Sequence, residues 1–338
     1  MRNWLEKRLQ AAWYRGSRLS LFLVPLSWVY GLVTWLRRQG YRRKLLPATT
    51  LPVPVIVVGN IVAGGSGKTP FVIWLVELLK ANGYYPGILS RGHGGAASFW
   101  PQQVRPDSDP RIVGDEPVML AQRCGCPVVV DPDRVRGGYG LLEHNHCDLI
   151  VCDDGLQHYR LARDIEIVLV DGVRRFGNRR LLPAGPLREL PGRLREADFT
   201  VVKGRGAATE YPMRMVDISL VSMTDAALRH DPEEFAGHTV HAVTGISNPS
   251  SFFAQLRAAG MEVIEHPFRD HHPFTAADVR FADSLPVVMT DKDAVKCVKF
   301  ADSRFWVLRF SVEIDGKLDS KILDRLTGIT DTYGQEAA

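Results

Sequence analysis

GNIVAGGSGKTP, residues 59–70, decides how the rest of the chain is read. It ends as a phosphate-binding loop ends. The usual spacing, G-x-x-x-x-G-K-[ST], puts a first glycine at position 62, yet valine stands there. Gly64, Gly65 and Gly67 keep side chains off a turning backbone. Its N–H groups, that of Ser66 included, can then converge on phosphate oxygens, aided by the positive end of the following helix. Lys68 can reach the terminal phosphates of a nucleotide, and Thr69 can place its hydroxyl on Mg²⁺. The flanks fit this reading. VPVIVVGN (53–60) is a β-rich run. TPFVIWLVELLKANG (69–83) has helical spacing, with Val72, Leu75, Val76 and Leu79 on one face and Gly83 as the stop. The plain structural alternative is a glycine-rich β–α turn, against which the GKT at a helix start speaks.

Outward from the loop, short apolar runs ending in glycine or polar residues alternate with helical segments: GILSRG, PVVVD, CDLIVCDDG, IEIVLVDG and FTVVKG. That alternation predicts a doubly wound, mostly parallel α/β sheet of the P-loop NTPase kind, with ligands at the carboxyl ends of the strands. At ~150 residues per domain, 338 residues make about two. A P-loop kinase domain over 45–225 and a smaller α/β domain over 226–338 are expected, with a cleft between them. HTVHAVTGIS, PSSFFAQLRAAG, MEVIEHPF, PVVMTDKDAVK and RFWVLRFSVEI supply the elements of the second domain. The tail after Thr327 reads as polar and frayed.

Residues 1–44 stand apart. They carry ten basic side chains and one acid, so an overall charge of +4 leaves −5 for the rest of the chain. LSLFLVPLSWVYGLVTWL (19–36) is uncharged, short of the ~20 residues a spanning helix needs, and interrupted by Pro25 and Gly31. Basic residues flank both ends, so both ends favour the cytoplasmic side. The expectation is a membrane-associating helix or broken hairpin dipping into the inner leaflet, with Trp4, Trp13, Trp28 and Trp35 available for the interface. A core helix with basic ends and a true span are the alternatives. Basic residues bracketing an apolar stretch suit a bilayer better than nucleic acid, and no nucleic-acid partner is expected. Five cysteines without scaffold or zinc-finger spacing indicate a reducing compartment.

DLIVCDDG (148–155) reads as a strand ending in two carboxylates, Asp153 and Asp154. A P-loop enzyme needs such an acid on a neighbouring strand to hold Mg²⁺, and adjacent acids on a buried strand call for a cation. Which of the two touches the ion stays open, as does a helix-capping role for either.

GNIVAGGSGKTP, SRGHGG (90–95), GDEP (114–117), CDDGLQH (152–158), LLPAGPLRE (181–189), RDHHPF (269–274) and TDKDAVKC (290–297) occur in the same order in one family. The chain resembles the tetraacyldisaccharide 4′-kinases of lipid A biosynthesis from its N-terminal hydrophobic segment to about residue 297. That family also lacks the first glycine of the loop, so Val62 fits it. Its members often have a bulky aromatic near His93, and Thr or Ser at Ser66. The resemblance implies transfer of the γ-phosphate of ATP, with Mg²⁺, to the 4′-hydroxyl of a tetra-acylated glucosamine disaccharide 1-phosphate, giving lipid IVA. It also implies work at the cytoplasmic face of the inner membrane, in contact with its phospholipids. It assigns Asp115 as the acid beside the sugar hydroxyl and His271 as its partner in an Asp–His dyad, and it adds Glu189 as a Mg²⁺ or active-site acid. From the residues alone, Asp115 equally reads as a cap for the helix EPVMLAQR, and His271 is not separable from His272. His158 reads as orienting the DDG turn or as packing. TDKD is similar to the guanine-reading N-K-x-D but lacks its asparagine. Two rival readings are a soluble P-loop kinase or ligase of a small metabolite and a GTP-dependent membrane regulator. The hydrophobic N-terminus speaks against the first, and the missing asparagine against the second.

Overall fold

The computed structural model describes residue 9, residues 11–14 and residues 18–336. Trp4 and the charged residues Arg2, Glu6, Lys7, Arg8 and Arg15 lie outside the described residues. The chain folds as two compact units. One comprises the described residues of Met1–Arg91, Cys126–Arg214 and Ile314–Ala338; the other comprises Gly92–Gly125 and Met215–Glu313. Residues 92–125, expected within the 45–225 domain, thus go with the second unit, which resumes at Met215.

The first unit is built on strands β1 (Val55–Gly59), β2 (Pro86–Ser90), β3 (Val128–Val130), β4 (Leu149–Asp153), β5 (Ile165–Asp171), β6 (Phe199–Lys203) and the start of β7 (Tyr211–Ser222). They lie in the order β3-β2-β4-β1-β5-β6-β7, and the pairs run parallel. Helices cover such a sheet on both faces, so its strands are apolar throughout instead of alternating. Val55–Val58 and Leu149–Cys152 are accordingly buried without a break. From β1 the chain passes to β2 and β3 on one side, returns to β4 beside β1, and then continues to β5, β6 and β7 on the other, which makes the carboxyl end of β1 a topological switch point, where ligands bind in open α/β sheets. The helix that follows, Lys68–Ala81, buries Val72, Leu75, Val76 and Leu79 on the face its spacing predicts. Leu318, Ile322 and Leu326 line one side of the helix Leu318–Glu336. The tail expected to fray after Thr327 is therefore helical, because the apolar spacing of four that begins upstream carries the helix through it.

The hydrophobic N-terminus forms the helix Val24–Arg42, with Pro25 in its first turn, where a missing N–H costs nothing. One side packs within the first unit. Ser27 Oγ donates to the Leu181 carbonyl (2.9 Å) and accepts from Ala184 N (2.9 Å), and Tyr30 donates to the Arg188 carbonyl. Gly31 faces Leu181, whose Cδ1 would lie 2.7 Å from a Cβ placed there. The opposite side is exposed and apolar. Phe22, Leu26, Val29, Val33 and Leu36 form a stripe, beside which Trp28 is 72% exposed. A helix buried all round is thereby excluded. Among the described residues no helix is long and apolar enough to cross a membrane.

In the second unit β8 (Thr239–Thr244), β9 (Glu262–Pro267), β10 (Val287–Thr290) and β11 (Phe305–Ile314) lie in the order β9-β8-β10-β11, followed by the end of β7. Side chains alternate between its faces. Val288 joins a cluster with Val240, Ala242, Phe252 and Leu256, while Val287 and Met289 join one with Val243, Phe274 and Val279.

Candidate active site

In the first unit the site is organised by the end of β1. Asn60 Nδ2 donates to the Gly64 carbonyl (3.2 Å) and to Ser66 Oγ (3.0 Å), bracing the loop from within. Val62 is buried and bridges Leu187, while Ala63 N donates to the Pro186 carbonyl and Arg188 N to that of Ile61. The loop thus begins as a short strand-like pairing with LLPAGPLRE. A side chain at position 62 fits there because the left-handed glycines come later, at Gly64 (φ 116°) and Gly67 (φ 83°). Gly67 caps the Lys68 helix in that conformation, which Ala adopts only at a cost of about 1–2 kcal/mol.

The two aspartates diverge. Asp153, at the end of β4, is buried, accepts from Ser90 Oγ at 3.3 Å, and its carbonyl accepts from the buried Arg134. Asp154 turns out in the left-handed region (φ 49°), which Asp tolerates better than most residues. Its carboxylate lies 3.2 Å from Lys68 Nζ and 3.1 Å from Arg188 Nη1. Burial pushes its pKa up, but those two cations outweigh burial and hold the carboxyl well below the usual range. Lys68 and Asp154 are therefore brought together, with Thr69 next along the helix and Asp153 next along the chain. Such oxygen donors suit Mg²⁺, which takes one or two carboxylates and completes its shell with water and phosphate. Among the described residues no group of three or more His, Cys, Asp or Glu side chains could hold a metal by itself.

Glu189 reaches the same network from the other side. Arg188 also donates to Gln157 Oε1 (3.3 Å), and Gln157 Nε2 donates to Glu189 Oε1 (2.8 Å). Tyr159 donates to Glu189 Oε2, and Arg193 lies 3.5 Å from that oxygen while pairing with Glu166. Arg193 was not foreseen: LREADF offers only a charged stretch, with no sign that its neighbour PGR is buried. Its side chain is 3% exposed, so Arg193→Met is expected to strip the buried Glu189 and the partly buried Glu166 of a partner and cost about 3–5 kcal/mol, read as a lowered denaturation midpoint. His158 sits in the turn after Asp154, where burial first, then the charges of Arg134 and Arg91, lower its pKa to about 4.

In the second unit Gly114 precedes the helix Asp115–Cys124 at φ 95°, ψ 151°, a conformation open to glycine, and a Cβ there would meet the His93 carbonyl at 2.7 Å. Asp115 is thus the first residue of the helix and not its cap. It is 3% exposed and accepts from Glu116 N. His271 Nδ1 lies 3.0 Å from both its oxygens, and Lys296 Nζ lies 3.6 Å from Oδ2. Burial works against the charge of Asp115. The His271 hydrogen bond and the Lys292 and Lys296 charges overcome it and hold the pKa at about 2. His272, the rival candidate, turns away to Asp278 (3.3 Å) and stacks on Phe268. TDKD is largely structural. Asp291 pairs with Arg123 and Arg309, and the fully buried Asp293 accepts from Thr244, Gly245 N, Thr290 and Lys296. Lys292 is the exception, lying 3.2 Å from His271 Nε2.

A parallel sheet, a glycine loop closing on Lys68 at its switch point, and a carboxylate from the neighbouring strand beside that lysine define a P-loop-like nucleotide-binding protein of the phosphotransferase kind. The profile of the tetraacyldisaccharide-1-P 4′-kinase (LpxK) family matches residues 19–327. The chain belongs to that family. It is 47% identical over 314 residues to the tetraacyldisaccharide 4′-kinase of Nitrosococcus oceani, covering 93% of each chain. To that of Methylobacillus flagellatus it is 50% identical over 327 residues, covering 96% of each. A crystal structure of "apo" form LpxK from Aquifex aeolicus in complex with ATP superposes with a TM-score of 0.77 at 28% identity, covering 91% of this chain and 99% of that one.

Proposed function

We propose that this chain transfers the γ-phosphoryl group of ATP to the 4′-hydroxyl of a tetra-acylated glucosamine disaccharide 1-phosphate, yielding the bis-phosphorylated lipid A precursor. Family membership supplies the acceptor. The observation that carries the phosphotransfer reading is Lys68 held beside Asp154 at the start of the P-loop helix. In this reading the backbone of Gly64, Gly65, Ser66 and Gly67 cradles the phosphates, and Lys68 follows the transferring group. Thr69, Asp153, Asp154 and Glu189 are the residues that would hold Mg²⁺, whose chemistry is to neutralise charge on the phosphate oxygens. Asp115 accepts the proton of the attacking hydroxyl, and His271 orients it. The GTP-regulator reading finds no support, since both aspartates of TDKD are engaged in ion pairs of the fold.

The acyl chains of the acceptor keep it in a bilayer, so the enzyme works at the membrane surface. The exposed stripe of the helix Val24–Arg42, continued by Phe22, supplies apolar contact with phospholipid, and its basic flank adds ~1 kcal/mol per residue near anionic lipid. ATP places this on the cytoplasmic face of the inner membrane. In functional terms residues 1–44 are the membrane segment, and 45–225 and 226–338 carry the kinase and its smaller partner domain.

The test is transfer of labelled γ-phosphate from ATP to the tetra-acylated disaccharide 1-phosphate in detergent micelles. Labelled lipid is the expected result; ATP hydrolysis without labelled lipid, or preference for GTP, would end the proposal. Deleting residues 1–44 is a poor test of membrane binding, because Ser27 and Tyr30 are bonded into the first unit. The double variant Val29→Glu/Val33→Glu touches only the exposed stripe. It is expected to lose co-sedimentation with anionic vesicles and to keep its rate on a short-chain acceptor; unchanged co-sedimentation would remove the stripe from membrane binding.

A further inference from the structure

Lys292 is the member of TDKD that turns toward His271. Its side chain is 15% exposed, and Nζ lies 3.2 Å from His271 Nε2, 3.2 Å from Asp270 Oδ1 and 3.4 Å from Glu116 Oε1. An ammonium has three donors and no acceptor. Toward a ring nitrogen at that distance it can only donate, and only to a nitrogen without a proton. The single proton of a neutral imidazole must then sit on the other nitrogen. That nitrogen, Nδ1, faces the Asp115 carboxylate at 3.0 Å, which can only accept. Both ends of the ring are thus specified by their partners.

We propose that Lys292 is a positioning residue: by donating to Nε2 it holds His271 as the neutral Nδ1–H tautomer, aimed at Asp115. The inference rests on reading Asp115 and His271 as the dyad that serves phosphoryl transfer. The consequence for the chemistry is specific. A neutral ring donates one hydrogen bond to Asp115 and leaves it a full anion, with lone-pair capacity for the substrate hydroxyl. An imidazolium would pair with Asp115 as an ion and weaken it as a base. The charged groups facing the ring are Asp115 on one side, and Asp270 (3.8 Å from Nε2) and Lys292 on the other; the His93 ring meets it edge-on at 5.4 Å. Lys296 lies against Asp115 and Asp293. Two carboxylates therefore invite a second proton onto His271, with the charge of Lys292 set against them. The backbone adds to the case. His271 sits at φ 56°, a conformation that persists only where its surroundings enforce it.

The proposal is tested on the full-length enzyme in micelles, comparing wild type, Lys292→Met and Lys292→Arg. Without the ammonium, protonation of His271 becomes easier, so the acid limb of the kcat profile is expected to move to higher pH by about one unit. At neutral pH kcat is expected to fall about tenfold or more, with KM for ATP and lipid within about twofold. Lys292→Arg keeps the charge and a donor, and is expected to return the acid limb toward the wild-type position. A residue that served only packing would leave the limb where it was. The second readout needs no activity: imidazole nitrogen shifts of isotope-labelled histidine, with His271 assigned from a His271→Gln sample. Wild type is expected to show Nδ1 protonated and Nε2 bare, and Lys292→Met both protonated near neutral pH. A wild-type ring protonated on Nε2, or an unmoved acid limb in a folded Lys292→Met, overturns the proposal. If Lys292→Met does not fold, the wild-type tautomer decides. Asp115→Ala, run alongside, separates the two levels. Full activity in that variant would sink the dyad reading itself, whereas lost activity with an unmoved Lys292→Met profile would sink only the role given to Lys292.

Discussion

Replacing Asp115 with alanine is expected to lower the rate of phosphoryl transfer by about 10²–10⁴-fold, the range that a positioned general base contributes. ATP affinity is expected to stay within about twofold, because Asp115 is not among the residues proposed to hold the phosphates. The size of the effect follows from the surroundings of the carboxylate. It is buried, held on both oxygens by His271, and flanked by Lys296. With its pKa at about 2 it is ionised at every working pH, so an acid limb near neutrality belongs to another group. His271 is the one in contact, and the Asp115 hydrogen bond raises its proton affinity against burial and Lys292. The same depressed pKa makes Asp115 a stabilising group. Its folded pKa lies below the ordinary carboxyl value, so its contribution is present above that value and is lost as pH falls through about 2. Asp115→Ala must therefore be shown to melt cooperatively before its rate is read. Asp115→Asn, which keeps the shape and removes the charge, is expected to lose nearly as much activity. Single-turnover transfer with saturating ATP is the measurement. A rate within tenfold of wild type in both variants would remove Asp115 from the chemistry.

Lys68→Met is the second large effect expected. Removing one preorganised charge from the phosphates in a water-poor site typically costs about 10²–10³-fold. Here the loss is compounded. Lys68 Nζ lies 3.2 Å from Asp154, and its removal leaves that carboxylate to Arg188 alone. Lys68→Arg is not expected to rescue, since a planar fork does not replace a compact ammonium at the end of a glycine loop. The check is kcat at saturating ATP beside nucleotide affinity by calorimetry. Retention of more than a tenth of the wild-type rate would mean that the loop does not carry the transferring phosphate.

Much of this was legible in the sequence because each signal had one physical meaning. Continuous apolar runs such as LIVC predict strands covered on both faces, and β1 and β4 are that. GKT after a strand predicts a helix beginning on phosphate-facing amides, and the helix begins at Lys68. RDHHPF could not separate two adjacent histidines, because spacing does not say which ring faces an acid 156 positions away. The strand Tyr211–Ser222 was missed since Arg214 and Asp217 break its alternation, and part of its burial depends on neighbours found elsewhere in the chain. For Lys292 the sequence says only that Asp291, Lys292 and Asp293 follow a strand and can face the cleft or the nucleotide; that the lysine meets His271 while the two aspartates meet other partners is a matter of the fold. The grouping of residues 92–125 with a segment that resumes at 215 leaves no compositional trace, for nothing in a linear chain marks an excursion that returns.

That excursion sets the order in which a ribosome can deliver the parts. The phosphate loop and its strands leave the exit tunnel early, but the segment bearing Asp115 emerges long before the residues it packs with. Synthesis at about 5–20 residues per second puts several seconds or more between Asp115 and His271. Through that interval a carboxylate destined for burial stays in water, and the helix Asp115–Cys124 waits with its apolar side uncovered. Contacts of such separation are the slow ones to close. The first unit closes later still, because Ile314–Ala338 belong to it, so the scaffold of the phosphate loop is completed only after both members of the proposed Asp115–His271 pair have been made.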